Sequence, residues 1–423
     1  MNSLEFVEGF NIQTYENFYN GGGVAIGDVT GNGLPDIFLT ANMGTNRLYE
    51  NLGDYRFRDI TGHAGVAGTR AWSTGVSMAD INGDGYLDIY VCNSGIAEGD
   101  DRRNELFINN GDGNFTEMAA EYGLDDDGFS IHAVFFDYNR DGRLDAYIVN
   151  NSHIHRSDFS TEELQRTTPN HLGGDRLYRN DGNTFSDVTE EAGIYRSVLG
   201  RGLGAVVSDF NRNGWMDLYI SNDFEERDYL YLNNGDGTFR EAADELIQSM
   251  SLAAMGGDAG DLTGNGYPDL FITEMLHSSD VRNKTNTNFI DWETYNTHYV
   301  DRGYHHQYIR NTLQLNHGII PGRGASFSEA GRQAVVEATD WSWGANILDL
   351  NSDGQQEIFV AIGIFHDILD KDYLKYTSTP RSEFFRTENG RRVPDVEGLI
   401  EGYPSTPVPN AAFVWSDSLD RYV

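Results

Sequence analysis

Apolar and polar residues alternate along this chain in short runs, and nothing resembling a long helical stripe of Ala, Leu, Glu and Lys interrupts them. Runs such as GGGVAIG, STGVSMA and LGAVVS end in an acidic, Gly-containing stretch. A second short run then follows: IFLT, IYVC, AYIV, LYIS, LFIT or IFVA. Period-two patterning bounded by Gly and Asn or Asp predicts strand–turn–strand units.

The acidic stretch between the runs is a nonapeptide that occurs six times. The copies are DVTGNGLPD (28–36), DINGDGYLD (80–88), DYNRDGRLD (137–145), DFNRNGWMD (209–217), DLTGNGYPD (261–269) and DLNSDGQQE (349–357). A second pattern follows each of the first five: NRLYENLGDYRF, NELFINNGDGNF, DRLYRNDGNTF, DYLYLNNGDGTF and NTLQLNHG with FSEA. These read as hairpins, with an apolar strand, an Asn/Asp-Gly turn and a strand opening on Phe.

Each unit therefore holds four short antiparallel strands. A lone sheet of this kind cannot cover both of its faces. Six of them stacked face to face around an axis make a β-propeller. The predicted fold is all-β, a single propeller domain over 1–423 with units near 20–61, 72–119, 130–189, 202–243, 252–331 and 341–423. Polar insertions fall at 151–174, 275–310 and 364–409.

The 48 Gly and the 23 Tyr and 23 Phe suit many turns and short strands. The formal charge of −36 removes nucleic acid as a partner, because that binding needs a basic stripe. It also disfavours anionic membrane surfaces. Bound cations or adaptation to a salt-rich habitat would explain it, and the scarcity of Lys (Lys284, Lys371 and Lys375 only) fits the second. The single Cys92 permits no internal disulfide and reads as a small buried hydrophobe. No apolar stretch is long enough to span a membrane. No signal peptide is visible at Met1, so export would require a leader removed from this sequence or lying upstream of it.

The nonapeptide itself carries chemistry. Oxygen-bearing side chains occupy positions 1, 3, 5 and 9, and position 6 is always Gly. Alternate residues of a tight loop converge, Gly supplies the positive φ that folds the chain back, and the carbonyl of position 7 turns inward. Four side chains, one carbonyl and water give the six to eight oxygens that Ca²⁺ takes; Mg²⁺ needs a stricter octahedron and Zn²⁺ wants His or Cys. The candidate ligands are Asp28, Thr30, Asn32, Leu34 and Asp36; Asp80, Asn82, Asp84, Tyr86 and Asp88; Asp137, Asn139, Asp141, Arg143 and Asp145. The other three loops offer Asp209, Asn211, Asn213, Trp215 and Asp217; Asp261, Thr263, Asn265, Tyr267 and Asp269; Asp349, Asn351, Asp353, Gln355 and Glu357. Up to six ions are expected, bound more tightly in the second, third and sixth loops, which hold three acids each. The acids are expected to lie in a loop at the strand end rather than buried beside the strand. An EF-hand is excluded, because position 12 is Leu39, Val91, Ile148, Ile220, Ile272 or Val360, on a strand.

GGGVAIGDVTGNGLPD, TGVSMADINGDGYLD and their relatives resemble FG-GAP/VCBS repeats of integrin-like propellers. NFYNGGGVAIGDVTGNGLPDIF, YHHQYIRNTLQLNHG and ATDWSWGANILDLNSDG extend the likeness over almost the whole chain. They resemble the secreted or outer-membrane VCBS-repeat proteins of the Bacteroidetes, which often carry an ASPIC/UnbV domain and are similar in their propeller to cartilage acidic proteins. The resemblance implies a Ca²⁺-bound, typically seven-bladed, exported propeller with interaction or adhesion roles and no established catalytic residues. Only six nonapeptides are present, and 410–423 (NAAFVWSDSLDRYV) reads as a divergent closing hairpin. Six blades closing the ring, an incomplete seventh built by Leu4 to Tyr19, or a fragment of a longer chain are the alternatives. An open blade edge would pair with a partner, a second copy included.

His153, His155, His171, His298, His305 and His306 lie in or beside insertions and are expected to be solvated rather than catalytic. The aromatics of 341–343 and 292–304 are expected to serve inter-blade packing and loop anchoring before carbohydrate stacking. No nucleophile elbow, phosphate loop or zinc-protease motif appears. The expected function is a non-enzymatic, extracellular binding, adhesion or assembly module with a protein or glycan ligand. A polysaccharide lyase or hydrolase, or a structural subunit of an extracellular polymer, are the alternatives.

Overall fold

A computed structural model describes residues 4–7, 9–96, 101–151, 165–224, 226–287, 290–320, 324–379, 381–388, 391–416 and 421–423. His153 and His155 lie outside the described residues. Five four-stranded antiparallel sheets follow one another, each with its strands in sequence order. The first blade runs Val24–Gly27, Asp36–Leu39, Arg47–Asn51 and Phe57–Asp59. The sixth pairs Ser342–Leu348, Glu357–Ile362 and Ala411–Phe413, and Trp415–Ser416 and Arg421–Tyr422 form a closing ladder beyond it.

The innermost strands lie side by side in chain order from the first blade to the sixth. One apolar cluster fills each boundary between successive blades. Strand alternation produces this. In Asp88–Asn93, Ile89 and Val91 face the first blade, and Tyr90 and Cys92 face the third. Cys92 is fully buried, as its strand position implies. Near the axis the strands press together: a Cβ on Gly75 would lie 2.3 Å from the Ile131 carbonyl oxygen.

The segment before the first blade does not begin a seventh. Its described residues form a short 3₁₀ turn, Glu16–Tyr19, and an aromatic plug. Phe10, Tyr15 and Phe18 pack on Trp72, with ring centroids 4.7, 5.8 and 5.2 Å away. Tyr19 reaches Phe365 and His366 just past the second strand of the sixth blade, which ties that blade to the start of the chain. A hydrophobic cluster of this kind needs no ladder, which is why strand patterning was a poor guide to it. Val24 and Ile26 of the first innermost strand stay 59% and 65% exposed at this seam.

The nonapeptides connect first to second strands. The insertions at 151–174, 275–310 and 364–409 connect second to third strands, so they emerge on the opposite rim. That rim carries the helices Asp280–Asn286, Lys371–Thr377 and Val396–Glu401.

Candidate metal centres

All six nonapeptides close in the same way. The position-1 carboxylate accepts the amides of positions 5 and 6: Asp80 those of Asp84 (3.0 Å) and Gly85 (2.9 Å), Asp349 those of Asp353 (3.1 Å) and Gly354 (2.9 Å). Asp28, Asp137, Asp209 and Asp261 do likewise. The position-5 oxygen accepts the amide of position 7, as Asp84 does from Tyr86 and Asn265 from Tyr267. Where position 3 is Asn, its oxygen also accepts the position-5 amide, at 2.8–3.0 Å. The position-6 glycines hold φ between 83° and 93°, where a side chain would be strained.

The ninth acid departs from expectation. It is not a loop residue at the strand end but the first residue of the second strand, and it is buried in every copy: Asp36, Asp88, Asp145, Asp217 and Asp269 at 0% exposure, Glu357 at 1%. Burial is tolerable because at least two backbone amides meet each of the five Asp carboxylates. Asp88 accepts from Ile81 (2.9 Å) and from Asn109 (2.9 Å). Even so, burial, reinforced by Asp84 and Asp80, pushes the Asp88 carboxyl up to about 6. Burial pushes Asp145 and Asp217 up to about 7, and raises Asp269 as well. A divalent cation beside these groups would reverse that shift.

The donor set is oxygen throughout, which fits a hard cation. In the sixth loop one ligand atom each from Asp349, Asp353 and Glu357 lies within 4.8 Å of the others. That is about the span across a Ca²⁺ with ligands at ~2.4 Å. Among the described residues no other trio of acids meets this spacing. The first, fourth and fifth loops hold only two acids each, and in the second and third the reason lies one strand away. In the first five blades an Asn of the third strand donates its backbone amide to the ninth carboxylate: Asn51, Asn109, Asn180, Asn233 and Asn316. In the sixth the register puts Trp415 there. Glu357 instead accepts from Leu350 and Asn351, close to Asp349 and Asp353. In the third loop the Arg143 guanidinium sits 2.5 Å from Asp141 Oδ2, a cation already at the site.

These Asn residues are what sequence reasoning missed. Each side chain also donates to the carbonyl of position 8 in its own blade, as Asn109 does to Leu87 (3.1 Å). Each from the second blade to the fifth reaches back to position 2 of the preceding blade: Asn109 to Val29 (2.9 Å), Asn180 to Ile81 (3.1 Å), Asn233 to Tyr138 (2.8 Å), Asn316 to Phe210 (2.8 Å). The only sequence signal was an Asn two residues before the turn Gly in all five hairpins. Arg140 stacks over Trp215 of the next loop and Arg212 over Tyr267, at 5.1 and 5.4 Å, so position-7 aromatics serve the same inter-blade seam.

The expected solvated histidines differ from one another. His171 is exposed, 3.1 Å from Asp127, whereas His305 Nε2 is part-buried, 2.8 Å from the Ile247 carbonyl oxygen. Trp292 of the second aromatic group stacks on Tyr295 and is 77% exposed.

A family model described as FG-GAP-like repeat matches residues 7–91, 95–148 and 209–272. The chain carries FG-GAP-like repeats. Over 214 residues it is 28% identical to cartilage acidic protein 1 of Xenopus tropicalis, covering 48% of this chain and 29% of that one. It is 28% identical over 207 residues to the Homo sapiens protein of the same name, covering 48% and 28%. The matched stretch thus spans under a third of the length of these curated relatives. Among solved structures, BBS1N in complex with ARL6DN, soaked with lead, aligns over 80% of this chain and 74% of that one, at TM-score 0.40 and 8% identity. No described helix is long and apolar enough to cross a membrane.

Proposed function

We propose that this FG-GAP-repeat propeller is a Ca²⁺-stabilised binding module, not an enzyme, working outside the cell. The observation that carries it is the sixfold repetition of one oxygen-lined loop, each closed by the same hydrogen bonds around a buried ninth acid. Residues 349, 353 and 357 would hold the first ion. In every loop the side chains of positions 1, 3, 5 and 9 and the carbonyl of position 7 supply ligands. A bound ion would neutralise the acids and hold the turn between the first two strands.

The loops with two acids, such as those of Asp28 and Asp261, suit the weak binding that works only at extracellular Ca²⁺ levels. The likeness to cartilage acidic protein 1 supports the same setting. The rim opposite the metal loops carries the insertions, and there a protein or glycan ligand would bind while the metal rim stays rigid. The exposed Val24 and Ile26 at the seam offer a second surface, where another copy of the chain would pack.

A thermal melt of the full chain with titrated Ca²⁺, together with elemental analysis, tests this. If the ions bind only the folded state, the midpoint climbs with concentration, and EGTA reverses it. Folded protein that stays free of divalent metal after soaking in millimolar Ca²⁺ refutes the reading.

A further inference from the structure

The residue near the end of each second strand donates its backbone amide to the Asn or Asp that opens the third. Asn93 donates to Asn104, Asn150 to Asp175, Asn222 to Asp228 and Glu274 to Asn311, at 2.7–3.0 Å. At this one register the second, third and fourth blades carry Asn, and each side-chain oxygen is satisfied. Asn93 accepts from the Ser73 hydroxyl (2.9 Å), Asn150 from Ser130 (3.0 Å) and Asn222 from the Arg201 amide (2.9 Å).

The fifth blade has Glu274 there instead. It is 1% exposed, and neither carboxylate oxygen has a hydrogen-bond partner among the described residues. The amides of Met275, Leu276 and Ala253 lie close enough to favour the ionised form without reaching hydrogen-bond geometry. Burial outweighs them and pushes the carboxyl up to about 8. A buried carboxylate without a charge partner is costly where a neutral Asn serves in three sister blades.

Glu274 lines a cavity of about 140 Å³ whose walls include Leu252, Ile309, Leu369 and Trp341. The Trp341 Nε1 is likewise buried with no described partner. The cavity adjoins a larger one of about 630 Å³, which shares Leu252, Met275 and Trp341 and is walled further by Trp343 and Tyr299. The cavity's second lining carboxylate, Asp367, already has its cation. Arg282 forks between Asp340 (2.6 and 3.0 Å) and Asp367 (3.0 and 3.3 Å). No described cation pairs with Glu274.

We propose that this cavity binds a small organic ammonium ion, with Glu274 as its counter-ion and the Trp341 indole N–H donating to an oxygen on the same molecule. Apolar and aromatic walls with one carboxylate left without a cation suit an organic cation, which needs a single charge partner and gains from ring faces. They do not suit Ca²⁺, which needs six to eight oxygens. The site lies beyond the second strand, at the end opposite the metal loops, so it is independent of them.

Calorimetric titration of the Ca²⁺-saturated full chain with ethanolamine and with choline tests this, ethylene glycol serving as the uncharged control. Saturable binding of at least one ammonium compound and none of ethylene glycol is expected. Glu274→Gln should weaken it on the order of thirtyfold or more, the loss of one partner of a buried charge pair. Asp349→Ala, in a metal loop, should leave it unchanged. If Glu274→Gln does not fold, Trp341→Phe takes its place and should weaken binding by removing one donor. No saturable binding of either compound, or equal binding by the Glu274 or Trp341 variant, overturns the assignment and leaves Glu274 a neutral buried acid.

Discussion

The side-chain amide of Asn180 donates to the carbonyl of Ile81, 3.1 Å away in space and ninety-nine residues away in sequence. The same Asn donates its backbone amide to Asp145 Oδ1 (2.8 Å) and its side chain to the Leu144 carbonyl (3.0 Å), and accepts from Gly182 (2.9 Å). One residue thus joins a nonapeptide loop, a hairpin turn and the preceding blade.

Asn180→Ala should therefore destabilise far beyond a surface change. It strands a buried carbonyl of Ile81 and removes the bonds to Leu144 and Gly182, leaving the backbone bond to Asp145. Losses of about 2–4 kcal/mol are expected for a network of this kind. Urea unfolding should show it, and Asn110→Ala, on the exposed face of the neighbouring hairpin, should stay within about 0.5 kcal/mol.

Asp175 and Asp228 are buried where Asn104 and Asn311 stand in other blades. Each accepts a Tyr hydroxyl, from Tyr147 (2.8 Å) and Tyr219 (2.7 Å). Burial pushes both carboxyls up to about 7. Unfolded, they titrate near ~3.9. The folded state then binds more protons between those values, so their stabilisation is full below about pH 4 and is lost as pH rises through 7. Asp175→Asn should flatten this decline. At pH 8 the variant should exceed wild type by on the order of 2–4 kcal/mol, and at pH 4 the gap should close. Urea midpoints at both values, in chelator, would decide it.

In the third loop Arg143 neutralises part of what a cation would find. Its guanidinium is 45% exposed, so the ion pair itself is weak, on the order of 0.2–1 kcal/mol. Arg143→Ala should tighten Ca²⁺ at that loop by up to about fivefold. A calorimetric titration that finds weaker binding would mean that the Arg143 bond to the Asn180 carbonyl shapes the loop more than its charge opposes the ion.

Trp72 is 1% exposed beneath the N-terminal plug, in ring contact with Phe10, Tyr15 and Phe18. Trp72→Ala should cost about 3–5 kcal/mol and release the segment before the first blade. Proteolysis between Leu4 and Tyr19 should then outpace wild type. Unchanged protection would show that the contact of Tyr19 with Phe365 holds the segment alone.

The repeat made the architecture readable. Six nonapeptides and five Asn-x-Gly hairpins in one order specify blades, and the alternation of Ile89 and Val91 against Tyr90 and Cys92 already states that both sheet faces are covered. The sequence also marked which residues cluster in each loop, because they are at most nine positions apart. What it could not mark was depth. Asp88 reads as loop and proves to be the first residue of a buried strand, since the third strand of its blade supplies the second amide, from Asn109, and the neighbouring strands cover it.

The sequence by itself determined the fold class, the blade unit and the oxygen-rich loops, because periodicity and short-range turn chemistry are local properties. The tertiary structure alone decided the inter-blade amide bonds, the aromatic plug on Trp72 and the burial of the Glu274 carboxyl. Those depend on which distant segments the ring brings within 3 Å, and no spacing along the chain encodes that.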